Sequence, residues 1–195
     1  ISMQDGTERI IQKLNDFQPD FLTAYPSTIG PLINAAEEGK LNIHPKAIGF
    51  SAEVLSPETY RRVKEVFNCA VLNNYCSTEG GEAAMTCDHG RLHINDDWVI
   101  IEPIDKDGNP VKDGEWSEGI YITDLTNYVQ PIIRYYMSDR VKITRECECG
   151  SNFPIMEING RVIEEITIGG KTLSGIVITH ALQEVKDIYT YQVAH

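Results

Sequence analysis

Apolar positions in the first third of the chain recur at two spacings. Ile10, Ile11, Leu14 and Phe17 fall at helical spacing behind Asp5, which the pattern makes the cap of a first helix. Phe21 to Tyr25 is a short apolar run closed by Pro26-Ser27, and reads as a strand. Leu32, Ile33, Ala35 and Ala36 mark a second helix that stops at Gly39. Ala47 to Phe50 predicts a second strand, closed by Ser51-Ala52-Glu53. Ser56-Pro57 opens a third helix, with serine as cap and proline in the first turn, and its apolar face carries Tyr60, Val63, Val66 and Phe67. Ala70 to Leu72 begins a third strand that leads into Asn73-Asn74-Tyr75. Strands alternating with helices pair in parallel through right-handed crossovers. Ligands then bind beyond the C-terminal strand ends, here Tyr25-Pro26-Ser27, Ser51-Ala52-Glu53 and the run Tyr75 to Glu79.

The texture changes near His93. Trp98 to Ile104, Gly119 to Thr123, Ile132 to Tyr135 and Val141 to Thr144 read as strands, and Lys106-Asp107-Gly108-Asn109 is a hairpin turn signal. After Gly160-Arg161 come a short strand at Glu165 to Ile168, a Gly169-Gly170 turn, and a helix from Ile176 to Val185. The pattern predicts an α/β fold: a parallel α/β subdomain over residues 1–90, an antiparallel barrel-like β subdomain over 91–160, and the start of a small C-terminal α+β domain over 161–195.

Composition narrows the function. A chain of 195 residues, 42% hydrophobic and 24% charged, can bury one substantial core with a satellite. Its 17 basic and 29 acidic residues give a net charge of -12, which repels phosphate backbones and argues against a nucleic-acid partner. No apolar run approaches the ~20 residues of a membrane span. Cysteines 69, 76, 87, 147 and 149 are odd in number and lack disulfide-framework spacing, which suits a reducing compartment and a cytoplasmic location. Cys69 and Cys76 flank the third strand and read as buried small apolar groups, and His44, His180 and His195 as surface residues. The chain starts at Ile1, and Val193-Ala194-His195 follow a helical pattern with no stop signal, so both ends read as cuts in a longer protein.

Two stretches carry candidate chemistry. In Tyr75-Cys76-Ser77-Thr78-Glu79-Gly80-Gly81, an aromatic face suits a purine, a threonine hydroxyl suits a phosphate, and a carboxylate suits Mg²⁺. The glycines permit close backbone approach. The bland alternative is a polar turn after a buried strand. In Pro131-Ile132-Ile133-Arg134-Tyr135-Tyr136-Met137-Ser138-Asp139, an aspartate past a strand can accept both ribose hydroxyls. Alternatively Arg134 and Asp139 are surface charges or pair with one another.

Together these stretches resemble the adenylate-forming superfamily, the acyl-CoA synthetases and their relatives. The resemblance is nearest to its phenylacetate-CoA ligase-like branch, with coenzyme F390 synthetase-like and CapK-type capsular-polysaccharide proteins. Four motifs occur in the family's order over residues 17 to 175. Ser51-Ala52-Glu53 resembles the family's segment beside the adenine, and Tyr75 to Glu79 its aromatic-x-x-Thr-Glu signature. The resemblance implies that Tyr75 stacks on adenine, Thr78 meets the α-phosphate and Glu79 binds Mg²⁺. Pro131 to Asp139 resembles Pro-Leu-Ile-Arg-Tyr-Arg-Thr-Gly-Asp, which makes Asp139 the ribose ligand. Gly160-Arg161 resembles the pair at the junction with a mobile C-terminal domain, where the arginine contacts nucleotide. The implied catalytic set is Thr78, Glu79 and Arg161, and the turn and Asp139 should face one cavity.

The implied reaction forms an acyl-AMP from ATP and a carboxylic acid, then passes the acyl group to a thiol, coenzyme A above all. The expected partners are small molecules, with self-association open. Tyr136, Met137 and Ser138 depart from the family's Arg-Thr-Gly, and Ile163 stands at the hinge aspartate. These departures keep open a non-catalytic scaffold in polysaccharide biosynthesis. The family's Gly/Ser/Thr-rich phosphate loop and its C-terminal lysine are not in this sequence, so the stretch is expected not to turn over alone.

A second set is Cys87, His93, Cys147 and Cys149. Cys147-Glu148-Cys149-Gly150 sets two thiols one residue apart before a glycine that permits a tight turn, and with Cys87 and a histidine it offers a closed tetrahedral site for structural zinc. His89 competes with His93 for the fourth place. Some phenylacetate-CoA ligase-like proteins share the Cys…Leu-His…Cys-x-Cys pattern, which favours His93. The alternatives are reduced surface thiols, or a zinc-stapled interaction module unrelated to ligases.

Overall fold

A computed structural model describes residues 5–168, 170–183 and 185, and parts them into two compact units, with divisions between Asn73 and Asn74 and between Thr179 and His180, so that the described residues from His180 on group with the first unit. The boundary at Asn73 falls inside a strand.

The first unit contains α1 (Thr7–Phe17), β1 (Phe21–Ala24), α2 (Pro26–Glu37), β2 (Ala47–Phe50), α3 (Pro57–Phe67) and the start of β3 (Ala70–Ser77). β2 lies between β1 and β3, parallel to both, with Phe21 opposite Ala47 and Ala47 opposite Ala70. A central strand with a helix-covered sheet buries both faces, hence the apolar run Ile48-Gly49-Phe50, all buried. Ile48 and Phe50 pack with Leu14, Ile29, Ile33 and Val63, each worth roughly 1.5–3 kcal/mol when fully buried. Ser56 caps α3 as expected, its Oγ accepting from Thr59 N at 3.0 Å. Asp5 is not the α1 cap. Gly6 holds that position and Asp5 pairs instead with Arg9 at 3.3 Å and Lys13 at 2.7 Å.

The second unit is antiparallel. It continues with β4 (Gly81–Thr86), β5 (Leu92–Ile94), β6 (Val99–Ile104), β7 (Gly119–Asp124), β8 (Tyr135–Met137), β9 (Asp139–Thr144) and β10 (Ile155–Arg161). The second half of β3 forms a hairpin with β4, which pairs with β5. β5 meets β10 through one register pair, His93 opposite Ile155, and β10 pairs along β9. β6, β7 and β8 form a separate three-stranded sheet. Ala83, Ala84, Ile120, Ile122, Val141 and Met156 build the core. A 3-10 turn, Val162–Glu164, leads to the hairpin β11 (Ile166–Ile168) and β12 (Lys171–Leu173), then to α4 (Gly175–Gln183).

The expected fold class, parallel α/β followed by antiparallel β, is the one observed. Its details differ where propensity is weak. β4, β5, β10 and β12 are additional strands. The strand expected at Ile132 to Tyr135 starts at Tyr135, because Arg134 takes a left-handed conformation (φ 49°) that interrupts the extended run. Among the described residues no helix is long and apolar enough to cross a membrane.

Candidate functional site

Tyr75, Cys76 and Ser77 lie within β3, so the loop proper is only Thr78 to Gly80. Ser77 Oγ accepts from Gly80 N at 2.9 Å and closes this turn. A Cβ on Gly80 would stand 2.1 Å from Ile122 Cδ1, so glycine is what lets the turn settle against β7. The result exposes Thr78 and half-buries Glu79 at the tip. Cys76, expected as a buried apolar group, is exposed, because successive strand residues face opposite sides and the buried side goes to Tyr75.

Tyr75 packs on the core of the second unit, and its buried Oη closes no hydrogen bond. Burial pushes the phenol pKa well up, and the neighbouring Asp139 pushes it further through its charge and a side-chain contact with the hydroxyl, with Arg161 opposing and Glu79 adding a smaller push. Asp139 opens β9 and is 5% exposed. Arg161 closes β10 opposite it in register, with Nε 3.5 Å from Asp139 Oδ1, longer than a good hydrogen bond. Three sequence-predicted residues, Asp139, Arg161 and Glu79, are thus each within electrostatic reach of a fourth, Tyr75, and Thr78 adjoins Glu79 in the chain. A buried carboxylate beside a half-exposed guanidinium is suited to a ligand carrying both hydroxyls and negative charge.

Ser51, Ala52 and Glu53 lie in the first unit. Ala52 has φ 68°, a left-handed corner unusual without glycine. Glu53 has a structural duty that its sequence position does not announce. Its carboxylate accepts from Ser27 N at 2.8 Å and Ser27 Oγ at 2.9 Å. Tyr25, at the N-cap of α2, offers no side-chain cap, so Glu53 satisfies an orphan donor and opposes the helix dipole from 26 residues away.

Cys87, His93, Cys147 and Cys149 converge, with all four donor atoms within 4.8 Å of one another. Cys87 Sγ is 3.9 Å from Cys147 Sγ, and Cys149 Sγ is 3.4 Å from His93 Nε2. Tetrahedral zinc, with bonds of about 2.3 Å to sulfur and about 2.0 Å to nitrogen, sets such pairs about 3.8 and 3.5 Å apart. The residues therefore fit that metal. Buried His93 places Nδ1 2.8 Å from the Phe153 carbonyl, which fixes the proton there and leaves Nε2 free as a ligand. The Cys149 backbone N–H holds the Cys147 thiol below its ordinary pKa. His89 is outside the cluster, 3.7 Å from Glu148. His44 is exposed and His180 is half-buried rather than superficial, while His195 lies outside the described residues.

A cavity of about 480 Å³ also lies in the second unit, lined by Arg140, Asn159, Glu165 and Ser174 among others, and by none of the sequence-predicted site residues. Arg140 there pairs with Glu118 and, at 2.7 Å, with Glu165. Ser27 and Ser77, read from the sequence only as parts of strand-end stretches, and Ile122, not singled out, support the candidate residues. The Ser-x-x-Gly spacing from Ser77 to Gly80 was a readable turn signal, whereas the other two act across long separations.

No family model matches the chain. Over 176 residues it is 29% identical to a phenylacetate-coenzyme A ligase of Thermus thermophilus, covering 84% of this chain and 39% of that protein. Over 138 residues it is 29% identical to protein CapK of Staphylococcus aureus, covering 70% of this chain and 29% of that protein. The chain thus spans well under half the length of these curated relatives. Among solved structures, 2-hydroxyisobutyryl-CoA ligase, in its postadenylation state with an acyl-AMP bound, superposes with a TM-score of 0.83 at 23% identity, over 95% of this chain and 42% of that one.

Proposed function

For this chain, which belongs to the adenylate-forming superfamily, we propose a role as the nucleotide-holding portion of an ATP-dependent carboxylate-activating ligase. The observation that carries the reading is the grouping of Tyr75, Glu79, Asp139 and Arg161, with the Asp139 carboxylate buried and only loosely neutralised. Kinship with ligases argues against a zinc-stapled module of unrelated origin.

In the proposed reaction a carboxylate oxygen attacks the α-phosphorus of ATP. An acyl-oxygen-to-phosphorus bond forms, the bond to the bridging oxygen breaks, and pyrophosphate leaves with the electron pair. Tyr75 offers its ring to the adenine, and Asp139 accepts from the two ribose hydroxyls. The Thr78 hydroxyl and the Arg161 guanidinium face the phosphate, where donors aimed at developing charge help most. Glu79, a hard oxygen donor at the turn tip, is suited to Mg²⁺, which would supply electrostatic relief when bound. Within the first unit, Glu53 holds α2. Coenzyme A is the proposed acyl acceptor, and Cys87, His93, Cys147 and Cys149 the ligands of a structural zinc with no open position for chemistry.

The test is pyrophosphate release by the intact protein from ATP and Mg²⁺ with a panel of alkyl and aryl carboxylic acids. Acid-dependent release is expected. Tight AMP binding without release for any acid would instead favour a scaffold, the reading that Tyr136 at the family's arginine position keeps open.

A further inference from the structure

We infer that the Cys87–His93–Cys147–Cys149 cluster is a positioning device for the nucleotide end of the second unit, acting along the strands the two ends share. This rests on the metal and nucleotide readings above.

β4 follows the Thr78–Gly80 turn and ends at Thr86, next to Cys87. β9 begins at Asp139 and ends short of Cys147, and β10 runs back from the cysteine loop to Arg161. Candidate nucleotide residues and thiols thus occupy opposite ends of the same strands, separated by roughly 20 Å for six residues at about 3.3 Å each. Glu79 belongs to the β3–β4 hairpin, whereas Asp139 and Arg161 belong to the β9–β10 hairpin. The ladder linking them through β5 is thin. β5 meets β10 at the single pair His93 and Ile155, reinforced by Ile94 N donating to Pro154 O at 2.8 Å.

The cluster bridges that weak seam. Cys87 and His93 come from the β4–β5 side, Cys147 and Cys149 from the β9–β10 side. The sulfur–sulfur approach of Cys87 to Cys147 and the sulfur–nitrogen approach of Cys149 to His93 both cross between hairpins. A metal bonded to all four would fix the angle at which one hairpin meets the other, and so where Glu79 stands relative to Asp139 and Arg161. Without the metal that angle is left to one register pair, the Ile94–Pro154 hydrogen bond, the Arg91–Glu157 pair at 3.5 Å and side-chain packing.

The experiment uses the intact protein. Zinc content is measured by elemental analysis, the metal is withdrawn with a chelator and returned, and AMP affinity and amide hydrogen exchange are followed throughout. The expected result is stoichiometric zinc, an AMP affinity at least about tenfold weaker in the depleted but folded protein, and recovery on adding Zn²⁺. Exchange should quicken at Thr78 to Gly81 and around Asp139, but not in β2 of the first unit. If depletion unfolds the chain, Cys87→His, which keeps four ligands while shortening one bond, becomes the readout, and weakened AMP binding with zinc retained is expected. Unchanged AMP affinity and exchange after the metal has left, or in Cys87→His, would overturn the inference while leaving both readings beneath it standing. A protein that takes up no zinc would overturn the metal reading and the inference with it. Zinc uptake without AMP binding would overturn the nucleotide reading and the inference, and leave the staple.

Discussion

Two carboxylates, one in each unit, occupy positions that the family resemblance assigns to the nucleotide, and their surroundings differ sharply. Glu53 is exposed, yet both its oxygens are taken by Ser27 at 2.8 and 2.9 Å. Asp139 is buried beside the Tyr75 hydroxyl, and its nearest cation, Arg161, stands at 3.5 Å. An exposed group with satisfied partners is holding the fold. A buried carboxylate whose nearest cation stands at 3.5 Å is the better candidate for a ligand. Position in a motif does not separate these duties; local hydrogen bonding does.

Substitution should separate them too. Asp139→Ala is expected to weaken AMP binding on the order of 100-fold, the loss of two charge-assisted hydrogen bonds, while the thermal midpoint moves little; calorimetric titration and a melt measure both. Gly80→Ala acts on the support beneath that site. Its Cβ would meet Ile122 Cδ1 at 2.1 Å, an overpacking cost of about 1–3 kcal/mol. Adding Ile122→Val, which deletes the offending methyl, should restore most of the denaturant midpoint. No recovery in the double variant would mean that the turn is set by something other than this contact. Glu53→Ala is the smallest of the three, at about 1 kcal/mol for a lost helix cap. It should lower stability without changing how the protein distinguishes one nucleotide from another.

The two units also differ in how far their patterns could be read. α2, α3 and β2 were legible because helical spacing and a run of three buried residues each have one simple geometric meaning. β4 was not, since Gly81, Ala83 and Ala84 are poor strand formers, made extended by pairing with β3 and β5. β10 hides in Met156-Glu157-Ile158-Asn159-Gly160, where Asn and Gly suggest a turn. Both strands are held by tertiary pairing, which local propensity does not carry. In the site, Cys147 and Cys149 declare themselves by spacing, and Asp139 by its motif. Ser27 with Glu53, and Gly80 with Ile122, are contacts between residues far apart in sequence, and nothing in either neighbourhood names the other.

The most direct test of the nucleotide site is a comparison of AMP with 2′,3′-dideoxy-AMP, titrated into the intact protein and its Asp139→Ala variant. If Asp139 holds the ribose, the unaltered protein prefers AMP by on the order of 100-fold, and the variant binds the two equally. A variant that keeps the full preference would contradict the account.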